Sequence, residues 1–246
     1  MRLTSELTQG NMNQNTPEFF GSQMKRGFTM QALYEAYRPK QWSDVIGQPK
    51  AIAKLDRFRK RRGTLAGDCY FLSGSSGTGK TSIALLIAEE TSDPWTLTEF
   101  DDPSELTADV LRKLAEQRQI RPFGKGYCNI VNEIQGLKAE QIRKLLGLTE
   151  RLPEWVTWVF TSSRSGEDQL LEGTDDMAPW LSRCKRIPMA RRGLSEPFAQ
   201  RAMEIAQAEG LDGQPIEAYT ALLKRCRNNL RLAIQEIEGG AMLATN

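Results

Sequence analysis

The octapeptide Gly74-Ser75-Ser76-Gly77-Thr78-Gly79-Lys80-Thr81 constrains this chain more than any other feature. It satisfies the pattern G-x-x-x-x-G-K-[ST] and lies between an apolar run, Tyr70-Phe71-Leu72-Ser73, and a helical stretch beginning near Thr81. Strand, glycine loop and helix in that order form a phosphate cradle. The glycines let backbone N–H groups converge on phosphate oxygens at a helix N-terminus, where the helix dipole favours negative charge. Lys80 then supplies a cation to the β and γ phosphates, and the Thr81 hydroxyl is a hard oxygen ligand for Mg²⁺. The expected cofactors are ATP and Mg²⁺.

A cradle of this kind needs a second strand that ends in polar or acidic residues, to complete the metal shell and to polarise an attacking water. Asn129-Ile130-Val131-Asn132-Glu133 is the candidate. Glu133 fits the general base. The residue before it is an amide, so Asn132 can accept from a Mg²⁺-bound water but brings no charge to the metal; slow hydrolysis is the expectation.

Around these motifs, strand-like and helix-like runs alternate. Residues 70–73, 95–100, 129–132, 156–161 and 186–189 read as strands, and 52–62, 81–90, 106–117 and 139–150 as helices with apolar positions three or four apart. Alternation of this kind predicts an α/β fold, a five-stranded parallel sheet with helices on both faces, over residues 30–190. Beyond Arg192 the pattern is helical only. Ser195 reads as an N-cap, three apolar stripes follow, and Gly239-Gly240 stops the last, so residues 191–246 are expected to form a small three-helix lid.

Composition narrows the chemistry. The 246 residues contain no histidine, which excludes Ser-His-Asp and Cys-His catalysis and histidine-ligated zinc. The four cysteines form no C-x-x-C pair and read as buried small hydrophobes in a reducing compartment. With 33 basic against 31 acidic side chains, no overall field advertises nucleic acid, so any DNA contact has to come from local patches. No apolar run approaches the roughly 20 residues of a membrane span. Residues 1–29 are polar and unpatterned, without the features of a signal peptide, and are read as a flexible extension of a cytoplasmic protein.

Upstream of the glycine loop, Tyr37-Arg38-Pro39-Lys40-Gln41-Trp42-Ser43-Asp44-Val45-Ile46-Gly47-Gln48 resembles the opening Y-R-P-x-x-(F/W)-x-D-(V/I)-(V/I)-G-Q of clamp-loader AAA+ ATPases, the bacterial tau/gamma subunits and the replication factor C small subunits. The resemblance spans about residues 32–240 and implies that Tyr37, Arg38, Val45 and Ile46 lie beside the adenine. It also implies a trans-acting arginine finger at Arg183, within Ser182-Arg183-Cys184, reaching the γ-phosphate of a neighbouring subunit. A polar sensor falls on Thr161 or Ser162. Asn228-Asn229-Leu230-Arg231 is similar to the family's G-(N/S/D)-(L/M)-R, which places Arg231 over the γ-phosphate of its own chain; the competing reading is a surface arginine on an amphipathic helix.

The chain departs from the family at Asn132, in lacking the Cys-rich insertion of tau/gamma, and in ending at Asn246, before the family's collar helices. From the last departure, association through AAA+ surfaces or through a partner is expected. The partners implied are further AAA+ subunits, in a homo- or hetero-oligomer, DNA, and a DNA-bound protein, with no membrane. Arg112, Lys113, Lys138, Arg143 and Lys144 are the family-implied DNA contacts, although surface solubility is the ordinary reading of each. The run Arg57-Phe58-Arg59-Lys60-Arg61-Arg62 reads first as a solvated helix end. Two alternatives stand beside the clamp-loader reading. One is a nucleotide-binding structural subunit with little hydrolysis; the other is a different AAA+ DNA remodeller, for branch migration or transposition.

Overall fold

The computed structural model describes residues 31–163 and 177–244. The chain divides into a unit of residues 1–32 and a unit of residues 33–246, and the description below concerns the second. The expected extension over residues 1–29 lies outside the described residues. Five strands, β1 (Cys69–Ser73), β2 (Leu97–Phe100), β3 (Tyr127–Val131), β4 (Val156–Ser162) and β5 (Lys185–Pro188), form one sheet in the order β2-β3-β4-β1-β5. Every pairing is parallel.

All seven residues of β4 are buried, as expected of a central strand covered on both faces. Alternate side chains feed two cores. Phe71, Trp158 and Phe160 face one side, where Trp180 meets Phe160 edge-on at 4.6 Å, and Tyr70, Leu72 and Val159 face the other with Ile83 and Ile87. The helices that cover the sheet are α2 (Pro49–Arg62), α3 (Lys80–Thr91), α4 (Ala108–Glu116), α5 (Ala139–Thr149) and α6 (Met177–Arg183), preceded by the short α1 (Leu33–Ala36). The lid consists of α7 (Ser195–Ala208), α8 (Ile216–Arg225) and α9 (Leu230–Glu238) around a third core that includes Phe198, Ala202, Tyr219 and Leu223.

Registry gathers the chemistry at one edge. Ser73 is level with Ser162 and Pro188, and Val131 is level with Phe160 and Phe100, so the segments leaving β1, β2, β3 and β4 emerge together at the carboxyl edge. The chain passes from β1 to the far edge at β2, whereas β5 lies on the other side of β1. The strand order therefore reverses at β1, where ligand crevices of open α/β sheets form.

Several boundaries differ from the sequence expectation, each for a local reason. The helix expected from residue 106 starts at Ala108, because the Thr107 hydroxyl accepts the Val110 N–H at 3.3 Å and caps it there. Ser195 is the first helical residue, not the cap. Pro197 has no N–H, and the Phe198 N–H already donates to the Leu194 carbonyl at 3.0 Å, so no donor remains for the Ser195 hydroxyl. It donates instead to Asn228 Oδ1 at 2.7 Å. The four cysteines are free and buried, and burial pushes the Cys128 thiol up to about 12.

Candidate functional site

The glycine loop leaves β1 and turns into α3 on positive φ values, 74° at Gly77 and 94° at Gly79, which glycine adopts without a Cβ penalty. Gly77 is also a close approach, since a methyl there would lie 1.9 Å from Asn229 Oδ1 and 2.9 Å from the Asn229 Cα. The loop thus packs directly on the first turn of α9. Lys80 is buried, and its ammonium donates to the carbonyls of Gly74 at 2.9 Å and Ser75 at 3.1 Å. Burial pushes its pKa down, the Glu133 carboxylate opposes that, and Arg231 adds to it.

Glu133 stands just past β3 with φ 53°, a left-handed conformation that is uncommon outside glycine and concentrates at functional sites. Its Oε2 accepts the Ser163 hydroxyl at 2.6 Å and the Ser163 N–H at 3.0 Å, and also the Gln135 amide. Burial alone would raise its carboxyl; the donors on Ser163 and Gln135, with Lys80, outweigh burial and hold it below its ordinary value. The Thr161 hydroxyl accepts the Glu133 N–H at 3.2 Å and donates to Asn132 Oδ1 at 3.0 Å. Ser162, one residue on, donates to Gln135 Oε1 at 2.9 Å. The sequence leaves Thr161 and Ser162 undivided; in the structure Thr161 joins Asn132 and the Glu133 backbone, and Ser162 serves the loop behind.

One cavity of about 970 Å³, counting its open mouth, brings most of the expected residues together. Ser76, Gly77, Thr78, Gly79, Lys80, Thr81 and Glu133 line its sheet side, Tyr37, Arg38, Val45 and Ile46 one end, and Arg231 the lid side. The opening segment reaches this place because Asp44 folds it, accepting the N–H groups of Lys40 at 3.2 Å and Gln41 at 3.3 Å. Gln48, buried at the end of that segment, donates to the Thr78 carbonyl at 3.1 Å and accepts the Ala190 N–H at 2.7 Å. Gly47 beside it has a φ of 75°, which residues other than glycine rarely adopt, and a Cβ there would lie 2.7 Å from Leu194 Cδ2. Tyr37 donates to Glu209 at 2.6 Å, which raises its phenol pKa, and packs under the Arg201 guanidinium at 5.8 Å. Arg231 lies 5.3 Å from the ring of Tyr34.

Asn132, Thr161, Ser162, Gly74 and Ser75 stand around the cavity rather than on its wall, and Arg183 is elsewhere. Arg183 closes α6, donating to the Pro179 carbonyl at 2.7 Å with Glu150 at 3.9 Å. Phe198, Ile205 and Ile234 of the lid line the cavity but read in the sequence only as apolar core stripes, and Arg201, which lines it too, falls in none of those stripes. Their signal was a heptad spacing, Phe198 to Ile205, with an arginine on the same face. Asn228 has φ 56° where the family pattern carries glycine, and asparagine is among the few side chains that tolerate that conformation. Of the basic run, Arg59 pairs with Glu90 at 2.6 Å and with Asp56, and Arg62 pairs with Asp68. Those cations are committed to neighbouring acids. Arg112 and Lys144 likewise pair along their own helices, with Asp109 and Glu140.

The donor set fits a nucleoside triphosphate with Mg²⁺. Positive-φ glycines open the loop backbone, Lys80 faces its carbonyls, Thr81 offers a hydroxyl on the cavity wall, and Glu133 is an ionised carboxylate opposite. Asn132 Oδ1 has a second lone pair beyond the one Thr161 uses.

The sheet order, the glycine loop and the helical lid define an AAA+ P-loop NTPase fold. A variant of RuvB from Thermotoga maritima shares it, with a TM-score of 0.64, 22% identity, and coverage of 82% of this chain and 64% of that one. In sequence, the chain is similar to clamp-loader subunits. It is 26% identical over 219 residues to the replication factor C small subunit of Methanoregula boonei, covering 85% of this chain and 63% of that protein. It is 30% identical over 193 residues to that of Thermoplasma volcanium, covering 75% and 57%. Against the DNA polymerase III subunit tau/gamma of Haemophilus influenzae it is 26% identical over 243 residues, covering 88% and 34%. The chain thus spans between 34% and 63% of these relatives' lengths. No protein-family model matches it. Among the described residues no helix is long and apolar enough to cross a membrane.

Proposed function

We propose that this chain is a clamp-loader-like ATPase module that binds ATP with Mg²⁺ between sheet and lid and couples nucleotide state to assembly on DNA. The observation that carries the reading is the single cavity in which the glycine loop, Glu133, Arg231 and the Tyr37–Ile46 segment meet. Phosphates entering the loop would take Lys80 from the Gly74 and Ser75 carbonyls that now hold it. Bound Mg²⁺ would supply charge neutralisation at the phosphates, with Thr81 as the protein's hydroxyl ligand and Asn132 on its water shell. Glu133, ionised and held by Ser163 and Gln135, would orient and deprotonate water. Arg231, on the lid side, neutralises the γ-phosphate of the same chain. Arg183 stands outside its own chain's cavity, as an arginine serving an adjacent subunit would, and on this reading the functional unit is an oligomer.

The test is steady-state ATP hydrolysis over a range of protein concentrations, with and without primer–template DNA, using Lys80→Ala as the blank. Specific activity that rises with concentration and with DNA supports the reading. Tight ATP binding with turnover no better than the blank favours the second reading, a nucleotide-gated structural subunit, to which the uncharged Asn132 gives its support.

A further inference from the structure

We propose that Glu99 and Asp101, at the end of β2, position Asn132, and that they are the reason this position is an amide; the link to nucleotide chemistry rests on the function proposed above. Asn132 Nδ2 donates to Glu99 Oε1 at 2.8 Å and to Asp101 Oδ1 at 3.1 Å. Carboxylates only accept, so the end of Asn132 that faces them has to be the NH₂ group, and the amide oxygen is thereby turned to Thr161 at 3.0 Å. The diacid sets the polarity of the whole relay: carboxylates, then amide, then the Thr161 hydroxyl, then the N–H of Glu133 at 3.2 Å.

Burial explains the division of labour. Asn132 is 6% exposed, whereas Glu99 and Asp101 are open to water. The buried member is neutral and the charged members stay solvated, which avoids the cost of desolvating a carboxylate. An aspartate at 132 would lose both donated hydrogen bonds and bring a third carboxylate within hydrogen-bond distance of two others. Like charges at that range disfavour ionisation strongly. The negative potential beside the site is therefore carried by side chains of the neighbouring strand end, and the amide passes it inward. Asn132 is matched to its surroundings rather than being a lost acid.

It follows that Asn132→Asp alone harms the protein instead of repairing it. The groups hydrogen-bonded to the side chain at position 132 are Glu99 and Asp101 from the end of β2 and Thr161 from β4. Thermal melting without nucleotide is expected to show Asn132→Asp below wild type by at least about 2 to 4 °C at pH 8. Adding Glu99→Gln and Asp101→Asn to Asn132→Asp should restore most of the loss at pH 8, which a merely steric defect would not permit. An Asn132→Asp protein that melts with wild type overturns the inference, as does a triple variant no better folded than Asn132→Asp alone. A second readout is Mg²⁺-dependent affinity for a non-hydrolysable ATP analogue, expected to fall in Asn132→Asp and to recover in the triple variant. Wild-type protein that binds no analogue refutes the function proposed above and leaves the melting comparison to judge this inference independently.

Discussion

At the scale of single residues, Glu133 concentrates the chemistry. Its donors on Ser163 and Gln135 and the charge of Lys80 outweigh burial and keep its carboxyl below the ordinary 4.5. A carboxyl whose folded-state pKa is depressed contributes stability that is fully present above its unfolded value and lost as pH falls through the lower, folded value. If Glu133 is the base proposed above, it is ionised throughout the neutral range, and a pH–rate profile should show its acid limb below 4.5. Glu133→Gln should lower turnover by about 10²-fold or more while leaving analogue binding intact. A limb near neutrality, or turnover unchanged in the variant, would assign the base elsewhere. The left-handed φ of 53° at this residue is not legible in the sequence, since the Thr161 hydroxyl that accepts its N–H comes from a strand 28 positions away.

At the scale of elements, the strands and helices announced themselves by period, and their ends did not. The glycine loop, the apolar stripes of the lid and the parallel sheet all follow from local pattern. By contrast, the start of α4 depends on the Thr107 cap, and the failure of Ser195 as a cap depends on Pro197 and on Asn228 from a distant turn. The cavity's lid wall was hidden for a similar reason: Phe198 and Ile205 bear the same apolar signature whether they face a core or a ligand. Asn229 is the element-scale hinge of the site, capping α9 through the Leu232 N–H at 3.2 Å while pressing on Gly77. Asn229→Ala should cost about 1 kcal/mol in chemical unfolding by loss of the cap, and should weaken analogue binding by freeing the first turn of α9 beside the loop. Unaltered binding with the expected loss of stability would confine Asn229 to capping.

At the scale of the whole molecule, the proposed role of Arg183 is the one that a single chain could not display. It sits at the end of α6, buttressed by the Pro179 carbonyl, away from its own cavity. Mixing Arg183→Ala with Lys80→Ala protein separates the two halves of a shared site. The mixture should regain turnover that neither variant shows alone, because an intact loop then meets an intact finger from the neighbour; related fingers are worth about 10³ to 10⁵ in rate. No recovery in the mixture would mean that each chain works by itself. Gln48 carries a different consequence. One buried side chain holds the Thr78 carbonyl of the glycine loop with its nitrogen and the N–H of Ala190, where the chain leaves the sheet for the lid, with its oxygen. A displacement of the loop and a swing of the lid would therefore pull on the same buried side chain, from its two ends.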